Sequence, residues 1–388
     1  MRCTRAGSSR SVVLATLVAV ALAVLPTDAR AATTVADRNL QRALDAIVTR
    51  DDGPPGISVV VQRGSTPTFF TAGVADTATE QPFDANDAMR MASVAKAFSG
   101  ATALSLVADG SLALTDTVGK ILLDQPSAWA KVTLAQLLQH TSGVPDFSGS
   151  DEFREALLAS LTVAPPPEQL LSYVANDPLE FPPGTKYEYS NSDNILVALM
   201  VAAVSGTSYE DALAARVSTP LGLTDTSLPS GVELPTPFIH GYALEPPSPP
   251  DDVSEVVAGG WSWASGGVVS TPNDANQFIR GYASGKTTNA ATQAQQFRFR
   301  AGKSDPTGPG TNAAGLGIFR YRTRCGVVFG HTGNTAGYTQ FAASTRDGRR
   351  STVVSINAQI TQKYSAPKRF AELRKIYTLA VCAALEGT

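Results

Sequence analysis

Apolar positions recur with a helical period at Leu40, Leu44, Ile47 and Val48, which predicts a short helix over 37–48. Two β-rich runs follow at 57–62 and 68–73, and the turn formers Gly64, Ser65, Thr66 and Pro67 between them predict paired strands. The middle of the chain reads mostly helical. It is broken by Pro165-Pro166-Pro167, by Pro182-Pro183-Gly184 and by Pro246-Pro247-Ser248-Pro249-Pro250. Strand patterning returns at 315–321, 326–331, 337–344 and 351–357, with Asp347-Gly348 as a hairpin turn between the last two. The chain closes on an amphipathic helix over 367–385, with Phe370, Leu373, Tyr377 and Val381 along one side. Strands at both ends and helices between them predict an α/β fold. Its antiparallel sheet is built from both ends of the chain (about 32–75 and 268–388) and flanked by helices, with a mostly helical region inserted at about 76–267. All of this forms a single domain over 32–388.

Composition narrows the class. With 43% apolar and 17% charged residues in 388, the chain is neither disordered, collagen-like nor a multi-pass membrane protein. Its 31 basic and 34 acidic side chains give a net charge of -3, which leaves no excess of positive charge for nucleic acid. Residues 1–31 read as a signal peptide. Arg2, Arg5 and Arg10 make a basic start, 12–25 is an apolar run, and Ala29-Arg30-Ala31 fits small-residue cleavage. The run is too short for a bilayer span, so a secreted, extracellular protein with no membrane span after cleavage is expected. Losing Arg2, Arg5, Arg10, Arg30 and Asp28 takes the net charge from -3 to -6. Of the three cysteines, Cys3 leaves with the signal, and Cys325 and Cys382 can pair in an oxidising compartment. The histidines His140, His240 and His331 have no ligand spacing with a cysteine, so no metal is expected.

Three segments carry candidate chemistry. Ser93-Val94-Ala95-Lys96 heads a predicted helix that stops at Asp109-Gly110, and three residues of separation put Ser93 and Lys96 on one helix face. A lysine buried beside a hydroxyl can lose its proton and act as a base. A second Ser-x-x-Lys, Ser365 to Lys368, contains a proline and has no supporting motif after it. Tyr189-Ser190-Asn191 supplies a phenol able to pass a proton and an amide able both to donate and to accept. The overlapping Ser192-Asp193-Asn194 offers a rival register. His331-Thr332-Gly333-Asn334 ends a predicted strand. Glycine there lets another backbone approach, and the N–H groups of Ser93 and Asn334 are the candidate oxyanion donors.

Together and in this order, these motifs resemble those of the serine β-lactamase and penicillin-binding superfamily, on its class C branch. They are most similar to the secreted serine D-alanyl-D-alanine carboxypeptidases. The stretches Leu137-Leu138-Gln139-His140-Thr141-Ser142-Gly143, 220–226 and 330–337 add to the likeness, which covers essentially the whole chain after the signal. The resemblance implies a β-lactamase-like fold with Ser93 as acylated nucleophile and Lys96 and Tyr189 as the acid/base pair. It implies substrate contacts at Asn191, His331, Thr332 and Gly333, with Trp263 lining the cleft and His140 in a structural role. His331 stands where many β-lactamases have lysine. The implied substrate is a small peptide ending in D-Ala-D-Ala, or a β-lactam, acted on by a monomer without a cofactor. A β-lactamase, or an esterase or D-peptide hydrolase of the same fold, is the alternative, and a non-catalytic penicillin-binding module is a third. Gly-x-Ser-x-Gly is absent, which disfavours a lipase-type hydrolase. Arg320, Arg322 and Arg324 alternate along one predicted strand and would share a face, with Phe319 on the other. A substrate carboxylate would be gripped by a cation or by hydroxyls, and the sequence does not say whether the arginine face meets the cleft or the solvent. With Phe319 in the cleft instead, an ester fits better and only the Thr332 hydroxyl remains.

Overall fold

The computed structural model describes Gly7, residues 34–363 and residues 365–386. Apart from Gly7, the predicted signal peptide over 1–31 lies outside the described residues. Helix α1 (Val35–Val48) starts at a capping box. The Thr34 hydroxyl accepts from the Asp37 N–H, and the Asp37 carboxylate accepts from the Thr34 N–H. It buries Leu40, Leu44 and Ile47, the face that the periodicity marks. Strands β1 (Gly56–Arg63) and β2 (Pro67–Gly73) form the predicted hairpin.

Two helices of the inserted region, α2 (Ala95–Ala108) and α3 (Asn191–Ser205), are apolar nearly all round and pack against each other inside it. The Ser99 hydroxyl of α2 donates to Asn194 Oδ1 of α3 at 2.6 Å and fixes their relative position. Helix α4 (Pro272–Ala283) leads back to the sheet. Strands β3 (Arg300–Ala301), β4 (Thr311–Ala314), β5 (Phe319–Thr323), β6 (Gly326–Thr335), β7 (Tyr338–Ser344) and β8 (Arg350–Ile356) then precede the closing helix α5 (Pro367–Leu385).

These eight strands form one antiparallel sheet in the order β2-β1-β8-β7-β6-β5-β4-β3. The ends of the chain meet where β1 pairs with β8, Val59 opposite Val354. Side chains alternate between two cores. Val59, Val61 and Val354 face α1 and α5, whereas Val60 and Val353 face the helical side, where Phe98 of α2 stacks on Phe278 of α4 at 3.6 Å. Both faces of β1 are covered, which explains why its apolar run barely alternates.

The sheet departs from the predicted pattern in three places. The strand expected over 315–321 begins only at Phe319, in β5, and residues 315–318 form the turn that joins it to β4. Gly315 N–H donates to the Ile318 carbonyl between them, and Gly317 takes a left-handed φ of 63° against Gly100. Strand β6 runs on to Thr335, so His331 to Asn334 lie inside it and pair with β7 rather than ending it. Strand β3 has only two residues and no readable alternation. Cys325, in the β5–β6 turn, and Cys382, in α5, lie with Cα atoms 5.2 Å apart, within the span of a disulfide. Among the described residues no single helix is long and apolar enough to cross a membrane.

Candidate active site

The first wall is a short 3₁₀ turn, Ala92–Val94, that runs directly into α2. Ala92 holds a left-handed φ of 48°, an unfavourable conformation for a residue with a side chain. This sharp entry leaves Ser93 partly open while its neighbours on both sides are buried. One turn later Lys96 is almost completely enclosed, at 1% exposure. Its ammonium donates to Ser93 Oγ at 3.0 Å, to Asn191 Oδ1 at 2.7 Å and to the Ser265 carbonyl at 2.7 Å. All three partners are neutral. Burial therefore dominates and lowers the Lys96 pKa to about 7, against a smaller upward pull from Asp146, Asp305 and Asp193.

The second wall is the start of α3. Tyr189 precedes it, and its ring centre is 5.0 Å from the Lys96 ammonium. The phenol oxygen is buried and makes no hydrogen bond. Burial pushes its pKa well above the ordinary range, and the nearby Ser93 hydroxyl only partly offsets this. Tyr189 is therefore a neutral phenol, a proton donor rather than a resting base. Asn191 is fully occupied. It accepts from Lys96, and its Nδ2 donates to Asp146 Oδ2 at 3.0 Å and Ser148 Oγ at 2.9 Å. It lines the cavity, but its amide serves to hold Lys96. The rival register is buried structure. Asp193 accepts from the Ser142 hydroxyl and contacts His140 Nδ1 at 2.9 Å, and Ser192 donates to the Pro145 carbonyl at 2.6 Å. His140 is also enclosed. Desolvation lowers its pKa to about 3 and it does not reach Ser93's hydroxyl, in line with a structural position.

Strand β6 is the third wall. A Cβ on Gly333 would lie 2.7 Å from the Met91 carbonyl oxygen and 2.8 Å from the Ser93 nitrogen, so the missing side chain is what lets the strand reach the turn that carries Ser93. Asn334 lines the cavity beside Ser93, and its Oδ1 is held by Gln359 Nε2 at 2.6 Å. The other expected contacts in this motif are turned away. The Thr332 hydroxyl is buried and donates to the Pro306 carbonyl at 2.6 Å. His331 is buried against Phe319, with ring centres 5.0 Å apart, and desolvation lowers its pKa to about 3. Neither lines the cavity.

Trp263 needs the same correction. It is buried, packs on Tyr209 and donates from Nε1 to Glu210 at 2.7 Å, because the backbone reverses there through a positive φ of 33°. Trp261, two residues earlier, lines the cavity in its place. The cavity holds about 280 Å³ between Ser93, Tyr189, Asn191 and an apolar end built by Phe153, Val257 and Trp261.

Of the two faces of β5, the one with the arginines does not meet the cavity. Arg320 lies over the ring of Phe299 at 4.9 Å, Arg324 falls past the end of β5, and none of Arg320, Arg322 and Arg324 lines the cavity. Arg90 does line it, but its guanidinium donates to the Ser254 and Val232 carbonyls at 3.1 and 2.6 Å. Asp146 and Asp305 escaped the sequence reading because they sit on loops with no motif of their own, and the Ser265 carbonyl because it belongs to a single helical turn, Trp263–Gly266. Chemically, the arrangement joins a partly exposed hydroxyl, an amine that is half deprotonated near neutrality and a neutral phenol around one cavity. That set suits acyl transfer.

The chain is similar to known proteins over most of its length. A family model described as Beta-lactamase matches residues 37–374. The chain is 30% identical over 173 residues to a Beta-lactamase of Escherichia coli (strain K12), covering 44% of this chain and 43% of that protein. It is 25% identical over 252 residues to the D-alanyl-D-alanine-carboxypeptidase/endopeptidase AmpH of the same organism, covering 63% of this chain and 62% of that one. The match thus spans less than two thirds of either relative's length. Among solved structures, a D-stereospecific amidohydrolase from Streptomyces sp. superposes with a TM-score of 0.75 at 26% identity, covering 87% of this chain and 98% of that one. Because the family match runs from α1 into α5 and so takes in the whole sheet and all three walls of the site, the chain belongs to the Beta-lactamase family, within the serine β-lactamase and penicillin-binding superfamily.

Proposed function

We propose that this chain is an exported serine hydrolase that removes the terminal residue from peptides ending in D-Ala-D-Ala, through an acyl-enzyme on Ser93. One observation carries the reading: the fully buried Lys96 amine, with its pKa brought to about 7, lies 3.0 Å from Ser93 Oγ. The neutral amine takes the Ser93 proton as Oγ attacks the carbonyl carbon between the two D-alanines. The N–H groups of Ser93 and Asn334 receive the developing oxyanion. Tyr189 gives a proton to the departing nitrogen and regains one from Lys96. Water then attacks the ester and releases the shortened peptide. A penicillin would acylate the same serine. The carboxypeptidase named among the relatives supports this substrate class. Export rests on the basic and apolar pattern of residues 1–31 and on the approach of Cys325 to Cys382. A monomer suffices, since all three walls come from one chain.

A second reading, an ester or amide hydrolase whose substrate has no free carboxylate, is favoured by the displaced arginines and by the amidohydrolase neighbour. The test compares hydrolysis of a D-Ala-D-Ala peptide, nitrocefin and a nitrophenyl ester by the purified protein. Peptide cleavage is expected. Rapid nitrocefin turnover without peptide cleavage would make it a β-lactamase, and ester turnover alone would favour the second reading. Failure of a fluorescent penicillin to label the protein would favour a non-catalytic binder.

A further inference from the structure

The catalytic cavity has a neighbour. A second concavity of about 560 Å³ shares Tyr189 and Asp305 with it and is lined further by Tyr187, Glu188, Lys303 and Gln362. Neither Ser93 nor Asn334 lines this second space. The division of roles at the scissile bond follows from that. The oxyanion must point at the backbone of Ser93 and Asn334, in the first cavity. The departing nitrogen must lie beside the proton donor, and Tyr189, whose buried hydroxyl has no hydrogen-bond partner, lines both spaces. The acyl half then fills the apolar cavity of Phe153, Val257 and Trp261, and the leaving half passes over Tyr189 into the second space.

That space has a built wall. Tyr187 donates to the Lys303 carbonyl at 2.6 Å and Thr332 to the Pro306 carbonyl at 2.6 Å, so the segment is anchored at both ends. Between them Ser304 is buried and takes the Tyr321 hydroxyl at 3.0 Å, while Lys303 and Asp305 on either side of it are exposed. A cation and an anion are thus exposed two residues apart. Asp305 is held by Gln362 Nε2 at 2.7 Å.

We infer that Lys303, in this second pocket, receives the free carboxylate of the leaving residue, with Asp305 facing its nitrogen. This rests on the acyl-enzyme reading above and supplies the cation that the β5 arginines do not. As the C–N bond breaks, the nitrogen keeps the bonding electron pair, takes a proton from Tyr189 and departs as an amine. In water that amine gains a further proton, and Asp305 favours the resulting ammonium.

The test measures kcat/KM for a D-Ala-D-Ala peptide with a free terminus and for its terminal amide, in the unaltered protein and in Lys303→Ala. The unaltered protein is expected to prefer the acid. Lys303→Ala should lower the acid-to-amide ratio by about fivefold, the size of one exposed charge contact, chiefly through KM, and Lys303→Arg should recover it. An equal ratio in both proteins overturns the inference. If neither peptide is cleaved but the nitrophenyl ester is, the carboxypeptidase reading fails, and inhibition of ester hydrolysis decides the pocket. Competitive inhibition by D-alanine that weakens in Lys303→Ala supports it, and inhibition that is absent or identical in the two proteins overturns it.

Discussion

Lys96 gives up its hydration on entering the space between α2 and α3, and its hydrogen-bond partners there are a hydroxyl, an amide oxygen and a peptide carbonyl. None carries a charge to repay the loss, so the amine is released near neutrality. The sign of the pH dependence follows. Only the unprotonated amine can take the Ser93 proton, so kcat/KM for acylation should climb with pH and level off above about 7. A profile that falls through that range would assign the base elsewhere. For stability, Lys96 in the folded chain holds fewer protons than in the unfolded chain between pH 7 and its ordinary value of 10.5. Its burial penalty is therefore full below that window and fades as pH rises through it. Lys96→Ala and Tyr189→Phe should each slow acylation by on the order of 10²-fold or more, read from the rate of penicillin labelling. Near-normal turnover in either would cancel that residue's role. Ser93, Lys96 and Tyr189 were legible in sequence because one helical turn fixes the first pair and a short motif marks the third. The lining tryptophan was not: two tryptophans stand two residues apart, and the backbone reversal at Trp263 has no sequence signature.

At the scale of elements, β6 works as a spacer whose thickness is set by Gly333. The atoms a Cβ would strike belong to the backbone of residues 91, 93 and 94, which cannot rotate away. Gly333→Ala should push β6 off the turn that carries Ser93. A destabilisation of about 1–3 kcal/mol from overpacking is expected, with loss of on the order of 10²-fold in acylation as the oxyanion donors separate. Gly149→Ala, which meets nothing within 4 Å, is the control. Calorimetry and labelling rates read both effects, and equal behaviour of the two variants would remove the spacer role. The hairpin of β1 and β2, the strands β7 and β8 and the closing helix were readable because period and turn residues agree along them. The break between β4 and β5 was not, since Gly315 and Gly317 read as tolerated strand residues until their contacts with Ile318 and Gly100 are seen. Thr332 and His331 were misplaced for a related reason: the motif gives the strand, but packing on Pro306 and Phe319 decides which groups reach the cavity.

For the molecule as a whole, the site exists because distant parts of the chain are held in register. Pairing of β1 with β8 joins the two ends, and α2 locks to α3 through Ser99 and Asn194. A Cys325–Cys382 bond would close 57 residues and add about 4 kcal/mol by restricting the unfolded chain. Reductant should therefore lower the melting temperature, and an unchanged transition would argue against the bond. The overall α/β plan was legible from strands at both ends and helices between. The groups around Lys96 at residues 146, 265 and 305 were not, because only the folded chain brings those distant segments together. The central claim is that this assembly directs one hydroxyl at one carbonyl carbon. The most direct measurement is the mass of the intact protein after exposure to a β-lactam, with the adduct located by peptide mapping and the experiment repeated on Ser93→Ala. A single adduct on the peptide that contains Ser93, absent from a folded Ser93→Ala, is the expected result. No adduct, or one mapped to another residue, would contradict it.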